Sequence, residues 1–211
     1  MPHPLPAEEL VLRSAAPRRR ISADANKLSN DDRAAHDWYR FVLSYPPHLV
    51  RDYLKRLPSP VGQQVLDPFC GTGTTIVECK KLGINSVGVE AHPLSHFASS
   101  TKIDWAVDPS ELEGSGRRVA AAALRELERD EIVDDPSPAL IAEMPDRAKL
   151  RTLTPELHKL VLRNSISPLP LHKALVLRDA IRSIGGERCQ SHHMLALAKA
   201  LVSSMKHSHC N

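Results

Sequence analysis

The feature that most constrains this chain is a short stretch, residues 65–78, with the sequence VLDPFCGTGTTIVE. Its apolar start predicts a short buried strand, and Gly71 and Gly73 predict a turn that leads directly into a helix. Glycines let the backbone approach a ligand closely because they carry no Cβ. The stretch therefore predicts a strand–turn–helix unit that binds a small ligand at the turn.

The carboxylate at the end of this strand indicates which ligand suits the turn. A helix start offers free N–H groups and the positive end of a dipole, which favour anions. Asp67, however, repels phosphate and suits a ligand that carries an amino group. A P-loop is excluded because no Gly-Lys-Ser/Thr follows, and G-x-G-x-x-G is excluded because Thr-Thr-Ile follows Gly73. The pattern points to the amino-acid end of S-adenosylmethionine rather than to a nucleoside triphosphate.

A second apolar run, residues 86–91, predicts another buried strand that ends in an acid, Glu90. Glu90 lies about 20 residues past the glycines, where Rossmann-like folds place a carboxylate that accepts hydrogen bonds from ribose hydroxyls. A solvated glutamate at a strand end is the alternative interpretation. The order strand, turn, helix, strand, acid is consistent with binding of a nucleoside-containing ligand.

The string Asp-Pro-Phe-Cys-Gly-Thr-Gly-Thr-Thr at residues 67–75 resembles the cofactor motif of DNA methyltransferases that modify N6 of adenine or N4 of cytosine. Residues 90–93 look like the second motif of that family. The resemblance implies S-adenosylmethionine as cofactor, DNA as substrate and a role in restriction–modification. The implied fold is α/β, an incomplete Rossmann-like S-adenosylmethionine-dependent methyltransferase core with a C-terminal helical region. A plain strand–turn–helix with small residues is the alternative.

The resemblance also implies which residues contact the cofactor. Asp67 would face its ammonium group, and the glycines would let the backbone close round it. Glu90 would hold the ribose, and Pro47 would form one wall of the pocket. The predicted cofactor-binding residues are Pro47, Asp67, Phe69, Gly71, Gly73, Thr74, Thr75 and Glu90.

The segment Ser44-Tyr45-Pro46-Pro47-His48 admits two interpretations. Enzymes of this family use an Asp/Asn/Ser-Pro-Pro-Tyr/Phe/Trp loop for catalysis, and its aromatic residue stacks on the flipped base. Here Tyr45 separates Ser44 from Pro46, and His48 stands where the aromatic residue belongs. The segment precedes the cofactor strand, so it looks instead like the family's accessory cofactor segment, a proline turn followed by a helix. No catalytic residue is assigned.

No Asp/Asn/Ser-Pro-Pro-aromatic tetrapeptide occurs between Glu90 and Asn211, and only two strands are convincing. We therefore expect a truncated or split methyltransferase that needs a second polypeptide with the catalytic and target-recognition parts. An open edge of parallel strands is an aggregation liability unless a partner covers it.

Two other functions stay open. RNA methyltransferases acting on guanine N2 carry a similar Asp-Pro-x-x-Gly-Ser/Thr-Gly turn, but the short N-terminal arm leaves no room for an RNA-binding module. A non-catalytic helical interaction protein with a vestigial cofactor fold is the second. Failure of a well-folded sample to bind cofactor would favour it.

The chain divides into three parts by composition. Residues 1–29 are rich in Pro, Ala and charge and predict a flexible arm; residues 30–107 predict the cofactor-binding portion, and residues 108–211 a helical region. Gly114 and Gly116 are expected to interrupt the first helix of that region early. Its Cys and His residues lack the paired spacing of zinc sites, so no metal is predicted; they are Cys189, His192, His193, His207, His209 and Cys210.

Charge and hydropathy add weaker constraints. The 28 Lys and Arg nearly balance the 25 Asp and Glu, so composition alone does not indicate nucleic-acid binding. No apolar run reaches the roughly 18 residues of a membrane span, and no signal-peptide pattern is present. The four cysteines lack the spacing of a disulfide framework. A cytoplasmic protein with reduced thiols and no membrane partner is the expectation.

Overall fold

The structure is a computed structural model that describes residues 28–41, 43–57, 62, 64–132, 149–160 and 166–207. The predicted flexible arm, residues 1–29, lies outside the described residues except for its last two positions. His209 and Cys210 of the C-terminal Cys and His group also lie outside them.

The described residues form eight helices and two short strands. Five of the described helices have Pro at their first position, where its fixed φ suits the helix and its missing N–H leaves no hydrogen bond unmade. None of these helices is long and apolar enough to cross a bilayer. In chain order the elements are a 3-10 turn Asn30–Asp32, α1 Arg33–His36, α2 Pro47–Arg56, β1 Val65–Asp67, α3 Thr74–Lys81, β2 Ser86–Gly88, α4 Pro93–Ile103, α5 Pro109–Arg129, α6 Pro155–Leu160, α7 Pro168–Ile184 and α8 Gln190–His207.

The two strands form a small parallel sheet connected by α3. Val65 pairs with Ser86 and Asp67 with Gly88, so the carboxyl ends of both strands lie side by side. Among the described residues no third strand joins this sheet. The helix-rich architecture with a small parallel sheet is compatible with part of a methyltransferase fold.

Two apolar clusters hold the helices together. The first lies in the helical region, where α5 and α7 enclose Val119, Leu127 and Ile181. The second joins Ala98 of α4 to Leu195 of α8 and to Tyr39. Helix α8 therefore connects the helical region to the part of the chain that contains the sheet.

The prediction that glycines interrupt the first helix of the helical region is wrong. Helix α5 continues through Gly114 and Gly116, and Asp108 caps it by accepting hydrogen bonds from two N–H groups of the first turn. A Cβ on Gly116 would lie 3.4 Å from Cε1 of His193 in α8. The hydroxyl of Ser115 donates to the carbonyl that follows α7. Close packing of three helices thus overrides the weak helix propensity of glycine.

Candidate cofactor site

The glycine turn between β1 and α3 has a backbone that only glycine adopts without strain. Gly71 has φ of +54° and Gly73 has φ of +88°, both in the left-handed region. A Cβ on Gly73 would also lie 2.9 Å from Cβ of Ser99 in α4, which no real contact allows. Gly73 is the residue immediately before α3, so the turn opens directly into the helix start. Conformation and close packing together require glycine at position 73.

Glu90, just after β2, is tied to the glycine turn. Its Oε2 accepts the N–H of Gly71 at 2.8 Å, and its Oε1 accepts the N–H of His92 at 2.7 Å. Each carboxylate oxygen has a further lone pair, so Glu90 can still accept hydrogen bonds from a diol. The structure thus brings together two of the predicted site residues that lie far apart in sequence.

Asp67, at the end of β1, is bonded within the same cluster. Its Oδ1 accepts the N–H of Phe69 at 3.2 Å, and its Oδ2 accepts the hydroxyl of Tyr45 at 3.2 Å. The Tyr45 hydroxyl also lies 2.5 Å from Oγ1 of Thr75. Burial raises the pKa of Tyr45, and the charge of Asp67 adds to this effect. The phenol therefore stays protonated at neutral pH and can donate to the carboxylate.

Tyr45 was missed as a site residue by sequence reasoning. In the sequence Tyr45 stands out only as an extra residue that breaks the catalytic-loop pattern, although it directly precedes the proline turn. Its position before two prolines that start α2 was the available signal, because such a turn fixes where the preceding side chain lies.

The remaining predicted residues occupy different environments. Phe69 is 88% exposed, whereas Thr74 is buried at the start of α3. Pro47 is almost wholly buried at the first position of α2. The predicted role of Pro47 as a pocket wall stays a prediction.

An apolar cleft of about 490 Å³ lies beside this cluster, between α2 and β1. It shares Tyr45 and Thr75 with the Asp67 cluster, so one end of the cleft is polar. Its lining residues are Tyr45, Leu49, Val50, Tyr53, Leu54, Leu57, Val65 and Thr75.

A buried group of charges anchors α1 and α2 to α3, and so holds Tyr45 against the site. Glu78 of α3 accepts hydrogen bonds from His36 at 2.7 Å, Arg51 at 2.6 Å and Lys81 at 2.8 Å. Arg51 also donates to both oxygens of Asp32. Burial raises the pKa of Glu78, but the three donors outweigh it and lower the pKa to about 2. The carboxylate is therefore ionised throughout the physiological range.

No metal site accompanies the cluster within the described ranges, where no three His, Cys, Asp or Glu side chains are arranged to hold an ion. Of the C-terminal Cys and His group, Cys189 is buried. His192 bonds the carbonyl of Asp104, and His193 bonds the hydroxyl of Ser115.

Known proteins match the part of the chain that forms this cluster. A family model described as DNA methylase matches residues 20–96. The type II methyltransferase M.BsoBI of Geobacillus stearothermophilus is 36% identical over 85 residues, which are 40% of this chain and 16% of that protein. M.MjaII of Methanocaldococcus jannaschii is 36% identical over 78 residues, covering 36% of this chain and 14% of that protein. M.AvaI of a Nostoc species is 25% identical over 87 residues, covering 41% of this chain and 17% of that protein.

These matches set the extent of the relationship. The matched part of the chain spans about one sixth of the length of the curated relatives. No solved structure matches the chain. The predicted resemblance to DNA methyltransferases that act on amino groups is confirmed over residues 20–96, which match the DNA methylase family model.

Proposed function

We propose that this chain binds S-adenosylmethionine at the glycine turn and forms the cofactor-binding part of a DNA methyltransferase that acts on an exocyclic amino group of adenine or cytosine. The observation that carries the proposal is the 2.8 Å hydrogen bond from Gly71 N–H to Glu90. It joins the two carboxyl ends of a parallel sheet, and ligands of open α/β sheets bind outside such ends.

Each side chain of the cluster suits one part of the cofactor. Asp67 is a hydrogen-bond acceptor for the ammonium group of the methionine moiety. The ribose diol can donate to Glu90, whose carboxylate the backbone already orients. The glycine turn brings main-chain groups close to the ligand because no Cβ intervenes. In this proposal β1, α3 and β2 are the first unit of a Rossmann-like sheet.

The open sheet supports a second proposal, that another polypeptide completes the enzyme. Leu66 is 65% exposed and Val87 is 46% exposed, although both lie in strands. Val65 and Asp67 form backbone hydrogen bonds toward β2. Alternate residues of a parallel strand bond to opposite edges, so the N–H and C=O of Leu66 face the other edge. A further strand could pair there, and the chain that carries it would supply the catalytic loop.

The cofactor proposal is tested by titrating the full chain with S-adenosylmethionine in a calorimeter. We expect the unchanged chain to bind, and Asp67→Ala and Glu90→Ala to bind at least about tenfold more weakly. Asp67→Ala loses a hydrogen bond to the charged ammonium group, and Glu90→Ala loses the hydrogen bonds to the ribose. Asp52→Ala is the matched control, since Asp52 is exposed on α2. The proposal is wrong if a cooperatively melting chain does not bind, or if Asp67→Ala binds as tightly as the parent.

The partner proposal has its own test, which is methyl transfer from labelled S-adenosylmethionine to DNA by this chain alone. We expect cofactor binding without methyl transfer, because nothing in the sequence positions a flipped base. Transfer by the chain alone would show that a second polypeptide is not needed.

A further inference from the structure

Lys102, in the last turn of α4, is an unusual buried cation. It is 1% exposed, and its Nζ donates to the carbonyl of Thr72 at 2.8 Å. Among the described residues no carboxylate lies within ion-pair distance of it; Asp37 acts on it only from farther away. A buried ammonium group without a counter-ion destabilises a fold. Such groups are candidates for a role in a site rather than in stability alone.

The carbonyl that Lys102 binds belongs to the centre of the glycine turn. Thr72 lies between Gly71 and Gly73 and is 4% exposed. The hydrogen bond to a buried Nζ directs this carbonyl into the protein. A carbonyl on the ligand side would repel a carboxylate such as that of a methionine moiety. The N–H of Gly73, in turn, donates to the carbonyl of Cys70 at 2.8 Å.

We propose that Lys102 is a positioning residue of the cofactor site, which fixes the glycine turn in its ligand-binding form by holding the Thr72 carbonyl inward. The inference rests on the proposed binding of S-adenosylmethionine. It goes beyond the family relationship because position 102 lies outside the matched residues 20–96.

The charges around Lys102 leave Thr72 as its direct partner. Burial lowers the pKa of Lys102 to about 8, with Arg40 lowering it further and Asp37 opposing. The helices packed against α4 carry charged groups that have partners of their own. In α3, Glu78 binds His36, Arg51 and Lys81. In α8, His192 bonds the carbonyl of Asp104 and His193 bonds the hydroxyl of Ser115. Lys199, also in α8, forms an ion pair with Asp37.

The contact is tested without any ligand by following the carbonyl 13C resonance of Thr72 in carbon-detected NMR between pH 6 and 10. In the unchanged chain we expect this resonance to titrate with a midpoint near the pKa of Lys102, about 8. In Lys102→Met the titration should disappear. A resonance that does not respond to pH in the unchanged chain would overturn the proposal, and this outcome does not depend on how the variant folds.

The positioning role is tested by calorimetry with S-adenosylmethionine. Lys102→Met should bind at least about tenfold more weakly than the parent, since a charge-assisted hydrogen bond that shapes the site is lost. Lys55→Met, the same substitution at an exposed position of α2, should bind as the parent does. Equal affinity of Lys102→Met and the parent would overturn the positioning role.

The two proposals fail in different ways. If the unchanged chain does not bind the cofactor, the proposed function is wrong, and the positioning role that rests on it is wrong as well. If the chain binds the cofactor but the Thr72 titration is absent or Lys102→Met binds normally, only the inference about Lys102 is wrong.

Discussion

The helical region and the region around the sheet bury different kinds of side chains. In the helical region α5 and α7 enclose apolar residues such as Val119 and Ile181, which are 3% and 2% exposed. Around α3 the buried residues include Glu78, at 0% exposure, while Leu66 and Phe69 are 65% and 88% exposed. The helical region therefore has a mainly apolar interior, whereas the region around α3 buries a charge network beside apolar residues such as Val77 and leaves other apolar side chains exposed.

The difference assigns the stability of the fold mainly to the helical region and the binding of the ligand to the region around the sheet. A closed apolar core gains stability from its own burial and needs no ligand. A buried charge network fixes geometry through directional hydrogen bonds but adds little net stability relative to an apolar core. Exposed apolar strands become stable parts of a core only when something covers them. We therefore expect substitutions in the two regions to differ in size and in their effect on cofactor binding.

The largest effect is expected at the centre of the charge network. Glu78→Gln leaves Arg51, Lys81 and His36 without their shared carboxylate, so the free energy of unfolding should fall by about 3–5 kcal/mol. Urea denaturation measures this change. Glu113→Gln removes an exposed charge from α5 and should change stability by less than about 0.5 kcal/mol. Equal effects of the two substitutions would contradict the structural role of the network.

The same carboxylate gives the network a defined pH dependence. The folded-state pKa of Glu78 is lowered from 4.5 to about 2, so its contribution is present above pH 4.5 and is lost as pH falls toward 2. The pKa of Asp32 is also lowered in the fold, so its contribution to stability is likewise lost as the pH falls. Urea denaturation at several acidic pH values should show this loss, and the loss should be smaller in Glu78→Gln.

A comparable loss of stability is expected in the helical core, but without a direct effect on the site. Ile181→Ala removes a buried side chain of α7 and should lower the free energy of unfolding by about 2–5 kcal/mol. Ile184→Ala, at a 38% exposed position of the same helix, should lower the free energy of unfolding by a smaller amount. Calorimetry well below the melting temperature should show normal cofactor affinity in both. A specific loss of affinity in Ile181→Ala would mean that the two regions are not separable.

A smaller and pH-dependent effect is expected for Lys102. Its folded-state pKa is lowered from 10.5 to about 8, so the charged form is disfavoured in the fold. Between these values the folded chain binds fewer protons, and its stability relative to Lys102→Met should rise by up to about 1.4 kcal/mol per pH unit. Burial raises the pKa values of Cys70 and Cys79, which lowers stability as the pH rises. Both thiols are present in the parent and in the variant, so their contribution cancels when the two stabilities are compared. A pH-independent difference would place Lys102 in a solvated environment.

The smallest effect is expected on the exposed face of the sheet. Val87→Ser should change the free energy of unfolding by less than about 0.5 kcal/mol and should reduce self-association in analytical ultracentrifugation. The same substitution at Val119 removes two buried methyl groups and places a hydroxyl in the core, so it should clearly lower the free energy of unfolding. Similar costs at both positions would mean that this face of the sheet is already covered.

Local sequence patterns were enough to predict the elements around the turn. The strand, the glycine turn, the helix start and the second strand all follow from neighbouring residues, such as the apolar run before Asp67. The predicted burial of the two strands is wrong for their central residues, because Leu66 and Val87 are exposed where no other described element covers the sheet. The approach of Glu90 to Gly71 then follows from topology, because a helix that connects two parallel strands brings their carboxyl ends together. These features required no knowledge of tertiary packing.

Contacts between distant segments could not be predicted in this way. Tyr45 reaches Asp67 across 22 positions, and Lys102 reaches Thr72 across 30. Both contacts depend on how α2 and α4 pack against the turn, which no local pattern encodes. The continuity of α5 through Gly116 has the same origin, since the approach of His193 in α8 decides it.

The most direct test of the central claim is to map the amide resonances that change when S-adenosylmethionine is added to the full chain. Our account predicts changes at residues 67–75 and at Glu90 and His92, with Tyr45 affected through Asp67. Amides of α5 and α7 should stay unchanged. Changes confined to the helical region, or no changes in a folded chain at saturating cofactor, would contradict a cofactor site at the glycine turn.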